Sequence, residues 1–497
     1  MLESNPFQGR SVPATEVSRD PSWVALAKLT YGFSAQDLLA VKKLGIGSWV
    51  DLQLNPKLTE GAECAAYLNG FNSLNMSISE VSRFAPFVKS NDLAGQELSM
   101  TTLIRRLFAT NQLFEMLVEH FNDYLHISLA SAWQSRMAFD RDVVRAFALG
   151  TYPDMLASSS LHPAMLDYLN GNDNTKDAPN ENYGREIQEL HTITSRSGYL
   201  QKDVVNAARV FSGISWDYTA NRLVIDPDQH WLGPVSIFGW SSENKSADPA
   251  VIRNMTDSFV RYLALRPETA NAFSIRLARR FVSDDPPISL IHTMQARYLE
   301  TRGDIPSVVK TMILAPEFVA NAGQKVKRPM EHFGSVVRAL NLKLAKRIQS
   351  GDPQRVDDYF HDSVMSNVIY YVSAQGHEPM NWPFPNGFPD KSNPWTTLNG
   401  QVRRWNFGAA LAHGWNDQDF RILDYDQLLA GTPSDPGEVI DALAKLLLGT
   451  KLESDDRNDL LPIVTNAYDN SSAQTRLSQY AQTAASLILA MPTWNFR

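Results

Sequence analysis

Residues 179–194, PNENYGREIQELHTIT, gather Glu181, Asn182, Arg185, Glu186, Glu189 and His191 into a few turns of expected helix. Ile187, Leu190 and Ile193 run beside them, so the charged groups border a buried stripe. On a helical period Asn182, Glu186 and Glu189 share one face, and Arg185 reaches Glu181 and Glu189 at i±4. Two carboxylates held by one guanidinium can titrate apart, one acting as acid and the other as base. His191 would assist from another side. A metal variant would use Glu186 and Glu189 with Asn182 or His191. The structural alternative is a salt-bridge network that locks helices together.

A second polar stripe, Glu115, Glu119, Asn122 and His126, runs opposite Phe114, Leu117, Phe121 and Leu125. Facing glutamates on two helices can build a dimetal centre, but the Glu-x-x-His spacing of such sites is absent. The expectation for this stripe is therefore a solvated face. His162, before Pro163, reads as a capping or core residue, and Asp284 and Asp285 read as a helix-ending turn.

Aromatic residues complete the candidate set. Trp216, His230, Trp231 and Trp240 fall in 213–240, the stretch with the best strand signal. Residues 375–396 hold five prolines with Trp382, Phe384, Phe388 and Trp395, and Trp405 and Trp415 follow. A long loop of that kind lines or covers something. Rings beside carboxylates suit sugars, which stack on aromatic faces and are cut by carboxylate pairs. Asn182, Trp216, His230, Trp231, Trp382 and Trp395 are thus the expected substrate contacts. Core packing is the competing role for the tryptophans.

The elements that must position these residues are helices. Ser34 caps a helix that stops near Gly45. Helical periodicity continues over 101–126, 161–169, 181–194, 202–212, 249–282, 288–300, 304–313, 330–348, 400–413, 437–448 and 473–490. The expected fold is mostly α, a large multi-helix globule with a small irregular or β-hairpin flap near 213–240. Residues 1–20 read as an N-terminal extension, 21–350 as the main helical domain and 351–497 as a helical region packed on it. A weak boundary falls near 350–355.

Composition narrows the function. The chain has 497 residues, 43% hydrophobic and 20% charged, with a net charge of −8 and a pI near 5.7. That is globular composition, and its acidity argues against nucleic acid as a partner. The single cysteine, Cys64, forbids an internal disulfide and reads as a small buried hydrophobe. No apolar run is long enough to span a membrane, and no signal peptide is visible in the first 20 residues. The protein is expected to be periplasmic or secreted if a leader has been removed, and cytoplasmic otherwise. No G-x-S-x-G elbow, glycine-rich phosphate loop or dinucleotide fingerprint occurs.

Several segments together resemble the bacterial family called domain of unknown function 1800. They include LTYGFSAQDLLAVKKLGIGSWVDLQLNP, HPAMLDYLNGN at 162–172, PNENYGREIQELHT at 179–192 and GYLQKDVVNAARVFSG at 198–213. RLARRFVSDDPP at 276–287, SVVKTMILAPEF at 307–318, KRPMEHFGSVVRALN at 327–341, PNGFPD, RRWNF and the closing LILAMPTWNFR follow in order. The resemblance implies a mostly helical protein. It also implies export, often beside a second exported protein of a sulfatase-like family, and brings no family activity with it. Two places depart from the family's pattern. Its Trp and Asn-His-Phe are here Phe121, then Asp123, Tyr124 and Leu125. Its His-Asp and later Lys are here His230, Trp231 and Val235.

The leading expectation is an exported enzyme that cleaves a carbohydrate polymer, with a polysaccharide or oligosaccharide as substrate. Glu186 and Glu189 would supply acid and base, Arg185 would tune them and His191 would assist. No cofactor is expected, although a divalent metal remains an option. The alternatives are a non-enzymatic helical binding or assembly factor for a co-exported partner, and a metal-dependent enzyme such as an oxidoreductase.

Overall fold

Ser34 opens the helix Ala35–Leu44 through a reciprocal cap. Its hydroxyl accepts from the Asp37 amide at 3.2 Å, and the Asp37 carboxylate accepts from the Ser34 amide at 2.8 Å. Gly45, at φ 77°, ends the helix. The computed structural model describes residues 18–84, 93–131, 133–344, 364–413, 420–421, 425–429, 435–467 and 473–497. The expected boundary at 350–355 and Trp415 lie outside them.

The protein is mostly α-helical, as the periodicity predicts. Ile288–Glu300 and Ala473–Ala490 form over the expected residues. Other stretches are cut by tertiary or local signals. The 101–126 pattern divides into Leu93–Phe108 and Gln112–Tyr124, because the Gln112 amide takes the carbonyls of Arg106 (3.1 Å) and Ala109 (2.9 Å) that a continuous helix would use. The 249–282 pattern divides at Arg266-Pro267 into Pro249–Ala264 and Pro267–Phe281. The 330–348 pattern ends at Ala339; Lys343–Leu344 then pairs with Phe420–Arg421, and 345–348 lie outside the described residues.

The flap is two antiparallel hairpins. Ile214–Asp217 pairs with Arg222–Ile225, placing Ile214 opposite Ile225. Val235–Ile237 pairs with Trp240–Ser242 across Phe238 and Gly239, both at positive φ (45° and 90°), as a two-residue primed turn requires. These hairpins lie against the helices Gln201–Phe211 and Pro249–Ala264.

One hydrophobic core runs from Trp23 and Val24 through Phe121, Phe211 and Phe333 to Leu489 and Trp494. Residues far apart in sequence close it. Val326 bridges to Phe496, and Arg497 donates to the carbonyls of Lys28 (2.9 Å) and Arg280 (2.8 Å). Cys64 is buried in this core, and burial pushes its thiol far above its ordinary range, as an inert hydrophobe requires. Among the described residues no helix is long and apolar enough to cross a membrane.

Candidate functional site

Asn180 starts the carboxylate helix Glu181–Glu189 by accepting from the Asn182 amide at 2.9 Å. The helix is shorter than its pattern: the Thr192 hydroxyl takes the Ile187 carbonyl at 2.7 Å, and Thr194 sits at φ 68°. Its inner face lies directly on the helix Gln201–Phe211. Tyr183 stacks on Phe211 at 4.6 Å, and a Cβ at Gly184 would stand 2.5 Å from the Val204 carbonyl oxygen. This close approach sinks Ile187 into the core and leaves Glu186 and Glu189 half-buried at its margin.

The two carboxylates have unequal surroundings. Burial, then the neighbouring Glu189, raises the Glu186 carboxyl above its ordinary range against the pull of Arg185. Glu189 accepts from the Tyr199 hydroxyl at 2.8 Å. Arg185 does not clamp both glutamates as its spacing predicts. It lies 3.7 Å from Glu181, both side chains well exposed, and donates to Gln201 at 3.1 Å. Asn182 is exposed at the start of the helix, with its amide 3.5 Å from the Leu169 carbonyl.

Tyr168 links this helix to the proline-rich loop. Burial and then Glu186 raise its phenol to about 12, and its ring stands edge-on to His126 at 6.2 Å. His126 Nε2 donates to the Trp382 carbonyl at 2.8 Å. The Trp382 indole donates to Asn386 at 3.1 Å, and the exposed Phe384 lies 5.9 Å from it. Arg276 covers the Tyr124 ring at 4.1 Å and reaches the Asn386 carbonyl at 3.4 Å. Tyr168, His126, Trp382 and Arg276 thus form one connected set, with Glu186 within electrostatic reach of Tyr168, and the sequence reading singled out only Glu186 and Trp382 as site residues.

His191 stands apart from the carboxylates. It is buried, and burial, with Arg276 adding, holds its imidazole near neutrality down to about 3. Its carbonyl accepts from the Tyr152 hydroxyl. His230 is spent on packing, with Nδ1 at 2.7 Å from the Ser212 carbonyl and Nε2 at 3.2 Å from Asn244. Trp231 lies under the Arg209 guanidinium at 4.1 Å. Half-buried Trp216 is tied through its backbone to Asn172 at 3.1 Å. Trp395 is buried and donates to the Pro389 carbonyl at 3.1 Å. His162 caps its helix, accepting from Ala164 at 3.2 Å, as expected. Asp284 lies in the turn that follows the helix Pro267–Phe281, as expected, and holds Lys325 at 2.6 Å.

The stripe on Gln112–Tyr124 is not solvated: Glu115, Glu119, Asn122 and His126 are all buried. Glu119 meets Arg280 at 2.6 Å, the Tyr31 hydroxyl at 2.9 Å, Arg106 at 3.1 Å and His377 at 3.4 Å. Arg280 continues to Glu331, which Arg497 approaches at 3.2 Å. Arg328 joins Asp123 (2.7 Å) to Asp390 (2.8 Å) on the proline-rich loop. Burial works against ionised Glu119, but Arg106 and Arg280 outweigh it and hold the carboxyl well below its usual range. The loop 375–396 is therefore a cover over an internal charge network. Polar residues at helical spacing look the same whether they face water or a second charged layer. The signal was present in RLARRF and KRPMEHF, where charges interrupt apolar helix faces.

Among the described residues no three His, Cys, Asp or Glu side chains are grouped to hold a metal ion, and His191 does not converge with Glu186 and Glu189. Residues 24–496 match the family described as "Protein of unknown function (DUF1800)". No curated protein and no solved structure matches the chain.

Proposed function

We propose that this chain, which belongs to the DUF1800 family, is an exported hydrolase that cleaves a carbohydrate polymer by carboxylate acid–base chemistry. The observation that carries the reading is the inequality of Glu186 and Glu189. One carboxyl is biased toward its protonated form, and the other accepts a phenolic hydrogen bond. Such divergence is how paired carboxylates divide acid and base roles. Glu186 would give its proton to the leaving glycosidic oxygen as the C–O bond breaks. Glu189 would take a proton from the attacking water as the new C–O bond forms. The exposed ring of Phe384 beside half-exposed Trp382 offers an apolar face for a sugar. The resemblance of the sequence to a commonly exported family supports the export part of the reading.

The test is a glycan-degradation screen with wild type, Glu186→Gln and Glu189→Gln, each checked by thermal melting. Product from wild type and none from the folded variants supports the reading. Equal product from all three removes the glutamates from the chemistry.

One observation favours a second reading, a helical binding factor for a co-exported partner. Leu398, Val402 and Trp405 are 76%, 41% and 42% exposed on one face of the helix Leu398–Ala412. That reading expects Leu398→Glu to abolish partner capture while Glu186→Gln leaves it intact.

A further inference from the structure

A second site lies outside the carboxylate helix and the proline-rich loop. Asp140–Arg145 is wound as a π-helix that continues the helix Trp133–Phe139. Such turns are rare and recur at functional sites. The wide winding brings Arg145 back over Asp140, to which its Nε donates at 2.8 Å. Both Arg145 Nη groups grip Glu115, at 3.0 and 2.7 Å. Arg141 is pinned by the carbonyls of Leu74 (3.1 Å) and Met76 (2.8 Å).

Asp140, Arg141 and Arg145 form one wall of a cavity of about 260 Å³. Glu60, Arg105, Asn69 and Asn75 stand around the rest, and Leu68 and Met137 supply apolar surface. Arg105 differs from the other two guanidiniums. Its one hydrogen bond among the described residues runs from Nε to Glu60 at 3.3 Å, which leaves both Nη groups for a ligand.

We propose that this cavity binds a small carboxylate rich in hydroxyl groups, of the size of a single sugar acid. An unspent guanidinium edge takes a carboxylate through two parallel bonds. The exposed amides of Asn69 and Asn75 and the Glu60 carboxylate provide donors and acceptors for neighbouring hydroxyls. Leu68 and Met137 lie against the apolar face of the ring. The volume is slightly below the range of about 300–1,000 Å³ usual for small-molecule sites, which selects a compact ligand. The site does not depend on the function proposed for Glu186 and Glu189.

The experiment is calorimetric titration of the full chain with glucuronate, with glucose and acetate as ligands that lack the carboxylate or the hydroxyls. Wild type is expected to bind glucuronate at least tenfold more tightly than either control. Arg105→Gln should weaken glucuronate at least tenfold, and Asn75→Ala several-fold. Asn75 is exposed, so its variant decides the matter if Arg105→Gln does not fold. No glucuronate binding by wild type, or equal affinity in the folded variants, overturns the proposal.

Discussion

Arg280 donates to Glu119 at 2.6 Å in the interior, where their side chains are only 1% and 3% exposed. The same guanidinium reaches Glu331, so one cation ties the Gln112–Tyr124 helix to the Pro329–Ala339 helix. Removing one member of a buried ion pair strands its partner without water, which costs more than the pair contributes. Arg280→Met should therefore destabilise the protein by about 3–5 kcal/mol. Urea denaturation measures it, and a loss under about 1 kcal/mol would mean that the network relaxes around the gap.

Acid should unfold the protein early. Burial lowers His120 to about 3, His126 to about 4 and His191 to about 3, whereas the unfolded chain protonates them near 6.5. Their contribution to stability is complete above about 6.5 and is lost as pH falls toward the folded values. Glu331 extends the loss below about 4.5, because Arg280 and Arg497 overcome its burial and hold it at about 2. Unfolding at pH 5.5 should take up about two to three protons at these histidines alone, and His162, His332 and His377, which burial also lowers, add to that count. The slope of unfolding free energy against pH gives that number, and a flat slope between pH 6.5 and 5 would contradict it.

As the proton donor of the proposed hydrolase, Glu186 would set the alkaline limb of its activity. A proton donor with a raised carboxyl loses its proton as pH rises, so the rate should fall through that value. Glu186→Gln should lower kcat by about 10²–10⁴-fold and flatten that limb. A mutant profile parallel to wild type would assign the limb to another group.

Gly184 fixes where the carboxylates stand. Gly184→Ala puts a methyl 2.5 Å from the Val204 carbonyl oxygen, and backbone cannot move as a side-chain tip does. The helix must lift from Gln201–Phe211, at a cost of about 1–3 kcal/mol. The Tyr199–Glu189 hydrogen bond should loosen with it. Melting temperature and the tyrosine absorbance titration of Tyr199 report the two effects; an unchanged melting temperature would show that the contact is slack.

Local chemistry made much of this fold readable. Ser34 and Gly45 announce their helix because caps act within a few residues, and the hairpin region stands out through its aromatic and branched residues. The break after Phe108 was hidden, since it depends on the Gln112 side chain turning back to carbonyls at 106 and 109. At the candidate site, spacing identified Glu186 and Glu189 but not Tyr168 or Arg276, whose proximity is a product of packing. The largest misreading, a solvated stripe at Glu115–His126, arose because spacing carries no information about what faces a polar residue. Arg280, Arg328 and Glu331 lie far along the chain and meet Glu119 and Asp123 only after folding.

Arg497 has a consequence in time as well as space. Its guanidinium approaches Glu331 and bonds the carbonyls of Lys28 and Arg280. A ribosome delivers residue 28 first and residue 497 hundreds of peptide bonds later. Until then Glu331 lacks one of its two cations, and these carbonyls lack their donor. The contacts that Arg497 makes thus form only after it has been synthesised, and a chain still short of it has apolar surface open to aggregation.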